Sequence, residues 1–176
     1  MNINEFDYDL PESYIAQEPV EPRDSSRLML LERDDDRISH YTFRDIVDLI
    51  DPGDVLVMNT TRVIPARLQA VKRDTGGKLE VLLLRRLEPA RWRVLIGGKR
   101  GEVRMAITLT GSDIHGTIVE ELDGAERVIE FDQPLSDALT ELGEMPLPPY
   151  IYTRLEDAER YQTIYSRQEG SAAAPT

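Results

Sequence analysis

Between Ala66 and Phe131 the chain is cut by turn signals into six short segments, and this spacing constrains the fold more than any other feature of the sequence. The segments are 66–72, 78–84, 91–96, 102–110, 114–121 and 126–131. They are separated by Asp74-Thr75-Gly76-Gly77, Glu88-Pro89, Gly97-Gly98, Gly111-Ser112-Asp113 and Asp123-Gly124. Breaks at such intervals leave little room for helices and match hairpin turns. Alternation supports strands: Trp92, Val94 and Ile96 share one face, as do Val103, Met105, Ile107 and Leu109 against Arg104, Ala106, Thr108 and Thr110. Short strands so regularly spaced avoid exposed edges by closing on themselves, which predicts a small antiparallel β-barrel of about six strands. Trp92 then belongs to the core rather than to a base-stacking surface.

The flanks have a different texture. Ser26–Leu31 is an apolar run suited to a buried strand and ends at Asp34-Asp35-Asp36. Thr42 and Asp45 form a capping-box pattern ahead of a helix with the apolar stripe Phe43, Ile46, Val47, Leu49 and Ile50. Asp51-Pro52-Gly53-Asp54 stops that helix, and Val55-Leu56-Val57-Met58 follows as a second strand, the strand–helix–strand order of an α/β layer. After the six segments, a brief helix at 136–142 ends at Gly143. Pro146, Pro148 and Pro149 then lock φ and remove backbone donors, so the chain crosses in extended form. Glu156 to Ser166 reads as a short helix with Tyr161 and Tyr165 one turn apart on one face. The fold class is therefore α/β plus all-β, a discontinuous and incomplete α/β domain with the barrel inserted. Residues 1–64 form its first piece, 65–144 the barrel, and 145–176 the linker and start of its second piece. Apolar surface on the incomplete portion is expected to lie exposed or to be covered by another chain.

Several function classes are excluded. The 176 residues contain no cysteine, which rules out disulfides, thiolate nucleophiles and cysteine-ligated zinc. His40 and His115 are isolated, so no metal is expected. No G-x-G-x-x-G follows a strand and no G-x-x-x-x-G-K-[ST] occurs, which argues against dinucleotide-binding and P-loop enzymes. Without an apolar run of membrane-spanning length or a basic leader, neither a membrane span nor a signal peptide is supported, and a cytoplasmic location is expected.

The net charge of −12 is unevenly spread. From Arg62 to Arg104 there are twelve basic and four acidic residues, a local balance of +8 that leaves −20 for the rest. Such segregation suits a cationic face for RNA, with Arg85, Arg86, Arg91 and Arg93 as candidate phosphate contacts, or else a solvated set of strand faces with paired arginines.

Six ordered blocks extend these readings: Phe6-Asp7-Tyr8-Asp9-Leu10-Pro11 with Ile15-Ala16-Gln17; Arg23-Asp24-Ser25-Ser26-Arg27-Leu28; Asn59 to Leu68; Thr75-Gly76-Gly77 with Glu80 to Leu84; Met145 to Ile151; and Arg160-Tyr161-Gln162-Thr163. Together they make the chain resemble, over its whole length, the S-adenosylmethionine:tRNA ribosyltransferase-isomerase family of queuosine biosynthesis. Thr60 stands where that family commonly carries Asp or Asn. The resemblance implies a further C-terminal portion of comparable length, so that this chain corresponds to the N-terminal half and its turnover depends on the remainder.

The implied reaction transfers the ribosyl portion of S-adenosylmethionine to 7-aminomethyl-7-deazaguanine in a tRNA anticodon arm. The sugar isomerises to give epoxyqueuosine, and adenine and methionine are released. S-adenosylmethionine is consumed as substrate, and no cofactor is implied. A sulfonium carries its own leaving group, so the protein mainly orients reactants and moves protons. On this basis Arg23, Asp24 and Arg27 are the catalytic candidates: either arginine could grip an anion, and Asp24 could orient or accept a proton. Ser26, Asn59, Thr61, Arg62, Tyr161, Gln162 and Tyr165 are candidates for substrate binding, together with Ala174, Pro175 and Thr176. The competing readings are a salt-bridged cap at 23–27, a turn at Asn59–Arg62 that satisfies its own backbone, and a helix that simply buries two tyrosines. A non-enzymatic RNA-binding barrel module is the alternative function.

Overall fold

In the computed structural model, which describes residues 2–97 and 101–172, tertiary contacts divide the chain into two units. One comprises Met1–Met58 with Pro149–Arg154, the other Asn59–Pro148 with Leu155–Thr176.

The first unit is built on an antiparallel hairpin of Arg27–Glu32 (β1) and Arg37–Thr42 (β2), in register from Arg27 opposite Thr42 to Glu32 opposite Arg37. The apolar run at 26–31 is thus a strand but not a buried one, since Met29 and Leu31 are exposed and a lone hairpin has no second layer to cover them, and its partner at 37–42 is a polar stretch that periodicity did not reveal. Arg37 closes the open end by bonding Glu32 through Nε and Nη2, each at 2.6 Å. This bond holds the Glu32 carboxyl below its ordinary range and raises Arg37.

The capping box forms as expected, with the Thr42 N–H and Oγ1–H both donating to Asp45 at 2.8 and 2.7 Å, which lowers the Asp45 carboxyl. The helix that follows is a 3₁₀ segment, Phe43–Asp48, and its stripe is not buried: Phe43 and Val47 are exposed. Helices draw most of their stability from packing an apolar face, and without that packing this one stays short. Val55–Met58 is not a strand either; it has no regular secondary structure and all four side chains are exposed, since no strand among the described residues offers it a ladder. Gln17 ties the proline-rich crossing to this unit. Its Nε2–H donates to the Tyr150 carbonyl (2.9 Å) and its Oε1 accepts from the Tyr152 N–H (2.7 Å).

The second unit begins at Thr61–Val63 (β3) and contains the expected barrel. Arg67–Lys72 (β4), Lys78–Glu88 (β5), Arg91–Gly97 (β6), Ala106–Leu109 (β7), His115–Glu121 (β8) and Glu126–Phe131 (β9) close in the order β4-β5-β6-β9-β8-β7, every pair antiparallel. Alternating residues fill the interior: Leu79, Val81 and Leu83 from β5, Trp92, Val94 and Ile96 from β6, and Ile107 and Leu109 from β7. The fourth segment is shorter than its pattern predicted. Arg104 takes a positive φ of 76° and Val103 is exposed, so the chain turns before β7 rather than pairing from 102.

Leu139–Leu142 (α1) packs against the barrel core through Leu139 and stops at Gly143, as its sequence indicated. A Cβ on Gly143 would overlap the Pro65 carbonyl oxygen and lie 2.6 Å from that of Leu139. Immediately after it, Glu144 and Arg67 exchange backbone hydrogen bonds of 2.8 and 3.1 Å. The chain returns as Gln168–Ser171 (β10), which pairs parallel with β3 more than a hundred residues earlier. The helix read across 156–166 is only a 3₁₀ turn, Ala158–Tyr161, with Asp157 as its N-cap. Tyr165 lies beyond that turn, so the two tyrosines do not share a helical face.

Candidate functional site

β3 and β10 form a two-stranded parallel ribbon in the same unit as the barrel, and Gln162 binds β3 as a third strand would. The Val63 N–H donates to Gln162 Oε1 (2.9 Å), while Gln162 Nε2–H donates to the Val63 carbonyl (2.8 Å). Gln162 is only 3% exposed, so a buried side-chain amide replaces a missing backbone partner. Its amide therefore holds β3 in place, a role that spacing alone did not show.

Arg62, on the same strand, faces Glu159 from the 3₁₀ turn in a bidentate ion pair, and its Nη1 also reaches Ser166 Oγ at 3.3 Å. The bond to Glu159 raises the guanidinium above its ordinary range, and the charges of Glu159 and Glu169 add to the effect. Tyr161 donates its hydroxyl to the Pro146 carbonyl (3.3 Å). Asn59 Oδ1 accepts from the Thr61 N–H and hydroxyl at 3.3 and 3.0 Å, which is the self-satisfying turn.

These elements line a cavity of about 690 Å³ within the barrel unit. Arg62, Glu159 and Glu169 are among its charged lining, Arg85 and Arg86 line it from β5, and Trp92, Leu139 and Met145 contribute apolar wall. Trp92 is a core residue at 6% exposure, and its indole N–H has no acceptor among the described residues. A buried donor left unpaired costs about 1–3 kcal/mol, so its retention beside a cavity is notable. Glu159, Glu169, Trp92 and Met145 were not singled out as site residues. Long-range chain return brings them together, and no local pattern could have shown it.

The other candidates distribute as follows. Arg23 and Asp24 lie in the first unit, in the 3₁₀ turn Arg23–Ser25, where exposed Asp24 pairs with Arg44 at 3.5 Å. Ser26 accepts the Phe43 N–H on its carbonyl at 2.7 Å, and Arg27 opens β1 with its side chain exposed. Tyr165 is exposed. Among the cationic candidates, Arg93 pairs with Glu126 and Arg91 with Glu88 at 3.9 Å, whereas Arg85 and Arg86 are exposed without an ion pair to any described residue. Ala174, Pro175 and Thr176 lie outside the described residues. No group of three metal-ligating side chains occurs among the described residues, and no helix is long and apolar enough to cross a membrane.

A family model described as queuosine biosynthesis protein matches residues 3–176. The chain belongs to that family. A curated S-adenosylmethionine:tRNA ribosyltransferase-isomerase from Desulforamulus reducens is 49% identical over 179 residues, covering all of this chain and 52% of the relative. One of the same description from Symbiobacterium thermophilum is 50% identical with the same coverage. A crystal structure of S-adenosylmethionine tRNA ribosyltransferase from Thermotoga maritima is 38% identical, covering 84% of this chain and 52% of that one, with a TM-score of 0.39. The chain spans about half the length of the curated relatives it matches.

Proposed function

We propose that this chain provides the barrel and adjoining site elements of an S-adenosylmethionine:tRNA ribosyltransferase-isomerase. The observation that carries the reading is the match of the entire chain, at 49–50% identity, to curated relatives bearing that description. The reaction would move the ribosyl group of S-adenosylmethionine to the aminomethyl nitrogen of 7-aminomethyl-7-deazaguanine in the anticodon arm of tRNA. Adenine and methionine would leave, and the sugar would close to the epoxy-cyclopentanediol of epoxyqueuosine. The sulfonium activates its neighbouring carbon, so the protein's tasks are orientation and proton movement.

Glu169 and the Arg62–Glu159 pair line the cavity and supply carboxylates suited to a donor that carries a sulfonium and an ammonium, and the barrel's basic segment offers contacts to RNA phosphates. Arg23, Asp24 and Arg27, with Ser26 beside them, remain the proposed catalytic loop of the first unit. No resident cofactor is required by this scheme, and a cytoplasmic setting suits a tRNA substrate.

The test is adenine release from S-adenosylmethionine in the presence of precursor-modified tRNA, followed chromatographically, beside tRNA binding across a salt series. Adenine formation that depends on both substrates is the expected result. Salt-sensitive tRNA binding without adenine would instead support the RNA-binding barrel module, which the +8 balance of 62–104 favours on its own.

A further inference from the structure

We infer that Gln162 is a positioning residue rather than a substrate contact: it locks β3 from its second edge, holds Arg62 on Glu159, and so keeps the Glu169 carboxylate available to a cationic group in the cavity. The inference rests on the ribosyltransferase reading above for the identity of that cation, and it names the residue that sets the cavity's charges.

The lock begins with strand geometry. Successive residues of a strand turn their backbone polar groups to opposite edges. On one edge of β3 the Thr60 carbonyl accepts from the N–H groups of Arg167 and Gln168 (2.8 and 3.0 Å), and the Ile64 N–H donates to the Ser171 carbonyl (2.9 Å). Val63 faces the other edge, where β3 has no strand partner, and both of its backbone groups go to the Gln162 amide. Val63 is buried, so those groups would go unbonded without Gln162. Gln162 borders the cavity yet is almost wholly buried, with both ends of its amide engaged, which makes it part of the wall.

The turn couples this lock to Arg62. Residues three apart in a 3₁₀ turn stand one above the other. Glu159 and Gln162 have that spacing and are joined by the Gln162 N–H donating to the Glu159 carbonyl at 3.1 Å. Their side chains take consecutive residues of β3, Glu159 the Arg62 guanidinium and Gln162 the Val63 backbone. Two ties at neighbouring positions fix the strand both along its axis and about it. One tie alone would leave the long arginine side chain able to reach elsewhere.

An alternative partner is at hand. Glu169 is the register partner of Arg62 across the ribbon, and its charge already acts on that guanidinium. It makes no ion pair with any described residue, whereas Glu159 is spent on Arg62. With the lock open, Arg62 would be shared between the two carboxylates. With it closed, Glu169 remains for a sulfonium or an ammonium.

The test gives position 162 a switchable proton. In Gln162→Glu, a protonated carboxyl has an O–H for the Val63 carbonyl and an oxygen for the Val63 N–H, whereas the ionised form sets acceptor against acceptor. Burial and the carboxylates of Glu159 and Glu169 favour the protonated form and Arg62 opposes them, so the lock closes at low pH and opens as pH rises. The ratio of variant to parent kcat/KM for S-adenosylmethionine, from adenine release at saturating tRNA, should approach one near about pH 5 and fall about ten-fold by about pH 8. Affinity for tRNA should not change. Gln162→Met, which keeps the bulk without the bonds, should show a comparable loss at both pH values, and it carries the same measurements if Gln162→Glu does not fold. In NMR spectra, the Arg62 guanidinium N–H signals, protected by Glu159, should weaken in Gln162→Glu at the higher pH and return at the lower. A ratio that stays flat with pH, a loss in tRNA affinity instead of the donor's kcat/KM, or a loss accounted for by the unfolded fraction overturns the inference, as do parental Arg62 signals and kcat/KM in Gln162→Met. If the parent releases no adenine, the ribosyltransferase reading fails and the Arg62 signals still decide the positioning role: signals that ignore the pH change overturn it.

Discussion

Every buried hydrophobic side chain, from Val63 to Leu139, lies in the barrel unit, whereas the unit of Met1–Met58 and Pro149–Arg154 buries none among its described residues. The difference is not one of apolar supply. The first unit carries Met29, Leu31, Ile38, Phe43, Val47 and the run Val55–Met58, all exposed. What it lacks is closure. A two-stranded hairpin has one partner per strand and no second layer, while six strands closed in a ring give each strand two neighbours and a shared interior. Hydrophobic residues make a core only when topology gives them something to face.

The sharpest test of this contrast is steric. Gly143→Ala places a methyl group into the Pro65 carbonyl and beside that of Leu139, and should cost at least about 3 kcal/mol, seen as loss of the barrel's cooperative thermal transition. A variant melting like the parent would mean that the α1–β4 junction is not closed as described. Next, Leu83→Ala should destabilise the barrel by about 2–5 kcal/mol in denaturant unfolding. Leu31→Ala or Val57→Ala, in the first unit, should shift the same curve by less than about 0.5 kcal/mol. Equal effects would erase the distinction between the units.

A smaller effect separates the arginines. Arg85→Glu/Arg86→Glu should flatten the salt dependence of tRNA binding by about two phosphate contacts, whereas Arg93→Glu, whose parent charge is already spent on Glu126, should change it less. If all three behave alike, the basic stretch is only a solvated face.

The smallest effect is one of pH. Glu32 and Asp45 have carboxyls lowered in the folded state, so the unfolded chain binds more protons and their contribution is present above the ordinary carboxylate range. It is lost as pH falls through the depressed folded values. Acid titration below about pH 4 should therefore perturb the β1–β2 hairpin before the barrel, as followed by backbone amide NMR. The reverse order would refute this account of the first unit.

Legibility in the sequence follows the same division. Barrel strands were readable because their faces alternate with period two and their turns carry glycine and aspartate, both local signals. The Thr42–Asp45 box and the Gly143 stop were readable for the same reason. Val55–Met58 misled because strand propensity says only that a segment would suit a sheet, not that a neighbour is present. The helix around Tyr161 misled because Gln162 was needed by Val63, ninety-nine residues earlier, and the chain straightens to reach it.

For the candidate site, the residue types at Arg62, Arg85, Arg86, Tyr161 and Gln162 drew notice in the sequence, while their company did not. The sequence alone determined which segments alternate, where the chain turns, where charge accumulates, and the family to which the blocks belong. The closed order of the strands, the parallel return of β10 onto β3, the spending of Arg62 on Glu159 and the freedom of Arg85 and Arg86 were decided only in three dimensions. The reason is physical: periodicity and turn chemistry act over a few residues, whereas a cavity is made by groups that neighbour one another only after the chain has closed.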